Sequence, residues 1–413
     1  MNIPKLRFKE FNDEWKTYSI GDITESLKSG LSRLLQHQDI GIPVIRANNI
    51  ENGSLNFNDL KYWYLDDPQG ANTSNYLVHK NDILINFINS EAKMGTSAIV
   101  AEEPSREMIY TTNILKMNTN KLADNYFFYC YTDSKKYKDY IKLITKPAVN
   151  QASFTTVDFK KHKITLPSVK EQIKISGLFK SINHRIQLQQ EKIDLLKEQK
   201  KGYMRKIFSQ ELRFKDTDGL EYPEWSQQKL GNFSERVTRK NSNLVTTRPL
   251  TISAQHGLID QVEFFNKTVA SENLTGYYLL SKGEFAYNKS YSNGYPLGAI
   301  KRLDNYENGA LSTLYICFTP KDNVNSNFLV HYFDSTQWHK EVSLICVEGA
   351  RNHGLLNVSV NEFFETQHYL PCLDEQKKIA NFFDQINKKI KLNEQTLFNL
   401  QQQKKAFMQQ MFI

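Results

Sequence analysis

LPSVKEQIKISGLF (Leu166–Phe179) returns 204 positions later as LPCLDEQKKIANFF (Leu370–Phe383). Extended to Leu166–Ser209 and Leu370–Ile413, the two copies align without a gap and share 17 of 44 residues. That is enough to mark a duplication and not a chance echo. The likeness spreads outward. LRFKEFNDEW from Leu6 is echoed by LRFKDTDGLEYPEW from Leu212, and YLVHKNDILIN (Tyr76–Asn86) by YLLSKGEFAYN (Tyr278–Asn288). Each repeat is therefore a varied globular stretch followed by a long helix.

Ile175, Phe179, Ile182, Ile186, Gln189, Ile193, Leu196, Lys200, Tyr203 and Ile207 are spaced alternately by four and three, a heptad seam. Ile379, Phe383, Ile386, Ile390, Asn393, Leu397, Leu400, Lys404, Phe407 and Met411 repeat it. Pro167 with Glu171, and Pro371 with Asp374 and Glu375, supply helix-start chemistry. A parallel pairing sets Lys200 against Lys404. An antiparallel pairing with residue numbers summing to 593 sets Gln189 against Lys404, Lys200 against Asn393, Ile193 against Leu400 and Leu196 against Leu397. Matching the polar interruptions favours the antiparallel register.

The expected fold class is α+β. Two similar mixed α/β domains are separated by two long antiparallel coiled-coil helices in a pseudo-twofold tandem repeat. The segments are 1–165, 166–209, 210–369 and 370–413. IPVIRANNI, NDILINFI, GTSAIVAEE and MIYTTNILKM predict strands in the first globular stretch, with a helix near LADNYFFYCYTDSKKYKDYI. The second repeats this order, with a helix near SNFLVHYFDSTQW. The frameworks correspond while loops such as FINSEAKMGT and KSYSNGYPLG do not, so one scaffold carries two loop sets.

The net charge of +8 suits a polyanionic partner. Its distribution is uneven: +6 lies in 166–209 and +3 in 370–413, leaving the globular stretches near neutral. The four scattered cysteines fit a reducing cytoplasm. No apolar run approaches a membrane span, and the N-terminus has no signal-peptide pattern. There is no GxxxxGK[ST], no HExxH, no zinc spacing and no NPPF- or DPPY-type stretch. Asp66–Asp67 and Glu102–Glu103 read as solvated loop charges. The chain reads as a binder and not an enzyme, with no cofactor and no metal of its own.

Two variable regions, each followed by a related helix opening LP…EQ, resemble the specificity subunit of type I restriction-modification systems. LPSVKEQIKISGLFKSINHRI, LPCLDEQKKIANFFDQINKKI, the helix ends KKGYMRKIF and KKAFMQQMF, and YNKSYSNGYPLGAIKRL carry the resemblance, which covers the whole chain. It implies that each globular region is a target-recognition domain reading one half of a bipartite asymmetric DNA site. The helices would set the spacer and dock two methyltransferase (modification) subunits. S-adenosylmethionine and ATP/Mg are then expected on partner subunits, with restriction/translocase subunits completing the complex. A 40-residue helix is about 60 Å long, enough to separate two major-groove readers by one helical turn or more.

Asn and Gln can grip adenine, and Arg and Lys guanine. The candidate DNA-binding residues are Arg46, Asn48, Asn86, Asn89 and Lys93 in the first domain. In the second they are Gln255, His256, Asn288, Lys289, Tyr291 and Arg351. Ile182, Ile186, Gln189, Ile193, Leu196, Lys200, Ile386, Ile390, Asn393, Leu397, Leu400 and Lys404 are the spacer and partner-helix positions. Lys160, Lys161 and Lys163 form a local cationic cluster that reads equally as a solvated run. The competing readings are a two-lobed protein-binding coiled-coil adaptor without DNA recognition, or a fused methyltransferase with its site hidden in the loops.

Overall fold

The computed structural model describes residues 3–149, 151–266, 273–291, 294–346 and 356–413. The four segments expected from the sequence are regrouped into two compact units, Met1–Gln190 with Gln395–Ile413, and Glu191–Glu394.

The first unit is built on an antiparallel sheet in the order Thr24–Ser29, Ile114–Thr119, Ile83–Asn86, Ser97–Ile99. Residues of a strand alternate between its two faces. Ile83 and Ile85 therefore join a core with Phe127, Phe128 and Phe179, while Leu84 joins Val78, Ala98 and Tyr110 on the other face. Burial on both faces explains why ILIN is a continuous apolar run in place of an alternating one. A second sheet, Ile109–Tyr110, Ile42–Ile45, Lys61–Trp63, covers one side.

The single helix expected across Leu122–Ile141 is two, Asn125–Tyr131 and Lys135–Ile144. Asp124 caps the first, its side chain accepting from Phe127 N, and Ser134 caps the second through Tyr137 N. A fresh N-cap inside the run restarts the chain in a new direction.

The second unit repeats the scaffold. Its sheet runs Ser234–Arg236, Ile316–Pro320, Phe285–Asn288, Ala299–Arg302, strand for strand the same order. Its additions differ: Leu250–Ser253 pairs with Gly257–Asp260, and Tyr278–Ser281 with Asn308–Leu311. The helix expected near Ser326–Trp338 spans Ser326–Asp334, and a further one, His339–Ile345, follows it.

The central helix spans Val169–Phe208 and the C-terminal helix Leu373–Met411. In the first unit Phe412, just past the C-terminal helix, lies 5.7 Å from Phe179 and 5.0 Å from Phe127, ring to ring. In the second unit Phe208 stacks on Phe383 at 5.9 Å and Lys197 pairs with Glu394 at 2.7 Å. Numbers rise on one helix as they fall on the other, so the pair is antiparallel there. The Phe179–Phe412, Phe208–Phe383 and Lys197–Glu394 contacts, which flank the seam, each sum to 591, within two of the 593 expected along it.

The repeated LP…EQ motif acquires a structural meaning. Glu171, fully buried, takes both arms of the Arg7 guanidinium at 2.8 Å each. Gln172 accepts from Asp124 N (2.8 Å) and donates to the carbonyls of Leu122 and Pro167. In the second unit Glu375 holds Arg213 and receives the Trp225 indole N–H, and Gln376 accepts from Asn325 N (2.7 Å). Each motif buckles the first turn of a long helix to its globular part. The adjoining strand pairs, Lys16–Ser19 with Lys163–Leu166 and Ser226–Lys229 with Gln367–Leu370, are likewise equivalent. Even the bond from Leu212 N to the Lys206 carbonyl (3.0 Å) recurs, as Leu6 N to the Gln410 carbonyl (3.0 Å).

Candidate nucleic-acid interface

In both units the loop that leaves the third sheet strand, after Asn86 and after Asn288, is pinched at its base by a glycine. Gly95 donates to the Asn86 carbonyl at 2.8 Å and has φ +70°. A Cβ there would also press on Ile141 at 2.7 Å. Gly298 has φ +77°, and a Cβ would sit 2.0 Å from the Asn288 carbonyl. A left-handed backbone at so close an approach is the place for glycine.

Several of the expected DNA-contact residues make bonds within the protein. Asn86 is fully buried and donates to Thr96 Oγ1 (2.9 Å) and the Ala47 carbonyl (3.3 Å). Thr96 Oγ1 in turn donates to the Lys93 carbonyl (2.7 Å), so Asn86 braces the loop from beneath and cannot meet a base edge. Arg46 is held by Asp59, its Nη2 2.7 Å from the carboxylate and 2.6 Å from the Asp59 carbonyl. Lys289 donates to the Val358 carbonyl (3.3 Å), and Leu356 N donates back to the Lys289 carbonyl (2.8 Å). Asp67, expected to be solvated, is buried beneath Arg33 and accepts from Trp63 Nε1 (3.0 Å) and Ala71 N (2.9 Å). These bonds, the Arg33 one first, hold its carboxyl well below the usual range.

Asn48, Gln255, His256 and Tyr291 are exposed; Asn89, Lys93 and Asn288 are half-buried. Gln255 and His256 occupy the tip between Leu250–Ser253 and Gly257–Asp260, where Gly257 has φ +81°. The His256 ring lies 6.2 Å from the exposed Phe264. Asn89 pairs across strands with Ala152, and Lys146 exchanges backbone bonds with Ser153 (2.8 and 3.1 Å), so Lys146 flanks the same loop. Sequence reasoning passed over Lys146 because only this cross-strand pairing, about sixty residues apart, brings it to Asn89. Arg351 lies outside the described residues.

All twelve spacer positions are buried or half-buried, whereas Leu188, Leu195, Leu392 and Phe398 between them are exposed. The polar interruptions also have neighbours that the seam alone does not show. Lys404 reaches Asp133 of its own unit at 3.7 Å. Lys200 sits in the field of Asp334 and Asp384, with burial pushing its pKa down. Asn393 donates to the Lys389 carbonyl of its own helix (2.7 Å). A half-buried ammonium is better compensated by a carboxylate than by an amide; Asp133 and Asp334 come from the globular parts and Asp384 from the C-terminal helix.

No helix among the described residues is long and apolar enough to cross a membrane, and no cluster of three or more His, Cys, Asp or Glu there could hold a metal.

The type I restriction-modification DNA specificity domain matches residues 12–198 and 255–402. The chain belongs to that family. The two matches fall one on each repeat of this specificity-domain protein, as the duplicated scaffold requires. It is 30% identical over 238 residues to the MjaX type I restriction enzyme specificity subunit of Methanocaldococcus jannaschii, covering 56% of this chain and 55% of that protein. It is 19% identical over 169 residues to the Escherichia coli EcoKI specificity subunit, covering 41% and 36%. The matches thus span about half of the first relative and about a third of the second. Among solved structures, the type I S subunit from M. genitalium superposes over 100% of this chain and 99% of its own, with TM-score 0.58 at 16% identity. A chain from a study of type I R-M complex assembly and conformational transition superposes over 95% and 96%, with TM-score 0.52 at 13% identity.

Proposed function

We propose that this chain is the non-catalytic, sequence-reading subunit of a type I restriction-modification complex in the cytoplasm. Each globular part reads one half of a bipartite, asymmetric DNA site. The two long helices set the spacer and dock two methyltransferase subunits that bind S-adenosylmethionine, and restriction/translocase subunits bring ATP/Mg chemistry. The observation that carries this reading is the pairing of identical strand orders with unlike loop sets, in a chain matched twice by a DNA specificity domain. A symmetric adaptor has no need to vary the loops while preserving the frame beneath them.

Gln255 and His256 stand at an exposed tip and can form hydrogen bonds with base edges. The test is to map methylated positions in cells carrying this chain and its methyltransferase, with wild type and Gln255→Ala/His256→Ala. The double variant is expected to relax sequence preference in one half of the site only, by about 1–3 kcal/mol per lost base contact. Equal loss in both halves, or methylation without sequence preference in the wild type, would falsify the reading.

A further inference from the structure

Beyond the reading loops, the two repeats differ sharply in charge along the stretch that precedes each LP…EQ motif. Residues 133–163 hold eight lysines against three aspartates, a net +5. The corresponding stretch of the second unit, 334–367, holds two basic and five acidic residues, a net −3. In the first unit the three aspartates are already engaged: Asp133 with Lys138, Asp139 with Lys135, and Asp158 with Lys161 at 2.9 Å. Lys136, Lys142, Lys146, Lys160 and Lys163 are all exposed, and no salt bridge among the described residues engages them.

These lysines are contiguous with the reading loop. The helix Lys135–Ile144 leans on its neck, with Tyr137 hydroxyl donating to the Gly95 carbonyl (3.2 Å) and Ile141 against Gly95. Lys146 follows that helix and pairs through Ser153 with the strand beside Asn89. The Thr156–Lys161 helix closes the patch: Tyr140 hydroxyl donates to the Asp158 carbonyl (2.7 Å). Lysines are point charges without base-edge geometry, suited to phosphate oxygens and not to sequence.

Resting on the function proposed above, we propose that Lys136, Lys142, Lys146, Lys160 and Lys163 form a phosphate-binding surface for the DNA backbone, present in the first unit and missing from the second. The two readers then divide the work. The first supplies much of the sequence-independent, salt-sensitive attraction, and the second contributes chiefly through its loops.

The experiment compares the full chain, in complex with its methyltransferase, with a Lys136→Gln/Lys142→Gln/Lys146→Gln variant. Binding is measured on two duplexes of equal length, one carrying the mapped site and one scrambled, between about 50 and 200 mM salt. The slope of log K against log salt is expected to shrink by about 0.9 for each lysine removed, on both duplexes alike. Lys340→Gln in the second unit is expected to leave the slope unchanged. An unchanged slope in the triple variant, with site binding intact in the wild type, overturns this assignment alone. So does a loss confined to the mapped site, which makes the lysines base readers, or a loss of methyltransferase at constant slope, which makes the patch a protein contact. An equal drop for Lys340→Gln overturns the asymmetry. Failure of the wild-type complex to prefer its site overturns the underlying function and this assignment with it.

Discussion

Glu171 and Glu375 are the only acids in the two copies of the opening motif that both copies retain at the same place, and both are fully buried on an arginine from far away in sequence. Removing one partner of a buried pair strands the other. Glu375→Ala is expected to lower stability by about 3 kcal/mol, the low end for such losses because Arg213 keeps some solvent; urea unfolding reads it. Histidines add a pH dependence. His368 is neutral by its bonds: Thr366 hydroxyl donates to the Phe363 carbonyl and so accepts from His368 Nε2–H, leaving Nδ1 to accept from Tyr332. Burial pushes the pKa of His368 and of His162 down to about 4. The unfolded chain binds these protons near pH 6.5 and the folded one only near 4. Stability should be complete above about pH 6.5 and fall by roughly 1.4 kcal/mol per pH unit per histidine down to about pH 4. Melting temperatures that stay flat over that window would refute it. At this scale the sequence was a poor guide to Asn86, Lys289 and Asp67. Their types suit base or solvent contact, but partners lying 39 and 69 residues away, Ala47 for Asn86 and Val358 for Lys289, turn them inward.

The elements were easier to read. A heptad seam is a local property, so the buried positions of both long helices followed from spacing alone, while their antiparallel sense was read from the polar residues that interrupt the seam. Missing from any seam is what lies beside it, which is why the carboxylates near Lys200 and Lys404, Asp334 and Asp384 for one and Asp133 for the other, were not foreseen. That the second unit repeats the strands of the first was legible through the repeat, whereas the caps at Asp124 and Ser134 that split the expected helix were masked by a continuous aromatic run. The loop necks belong to this scale as well. Gly298→Ala places a Cβ on the Asn288 carbonyl in a left-handed conformation. It should cost about 1–2 kcal/mol from backbone strain and weaken one half-site without altering the other. Unchanged thermal stability together with unchanged methylation at both halves would show that the neck has no such role.

Taken as a whole, the molecule is two copies of one plan with unequal completion. The second unit is a continuous piece of chain, Glu191–Glu394. The first draws Met408, Met411 and Phe412 into the same core as Trp15, Phe127 and Phe179. Chains are made from the N-terminus and domains fold as units when their parts are present. During synthesis, then, the earlier-made half must wait with an open apolar face until residue 412 has emerged, while the later-made half has everything it needs by residue 394. Nascent chains arrested after residue 394 should resist protease across 191–394 and be cut within 1–190, and extension past residue 412 should restore protection. The duplicated plan thus reverses the ordinary order of maturation, and the first half of the message is the last part of the protein to become itself.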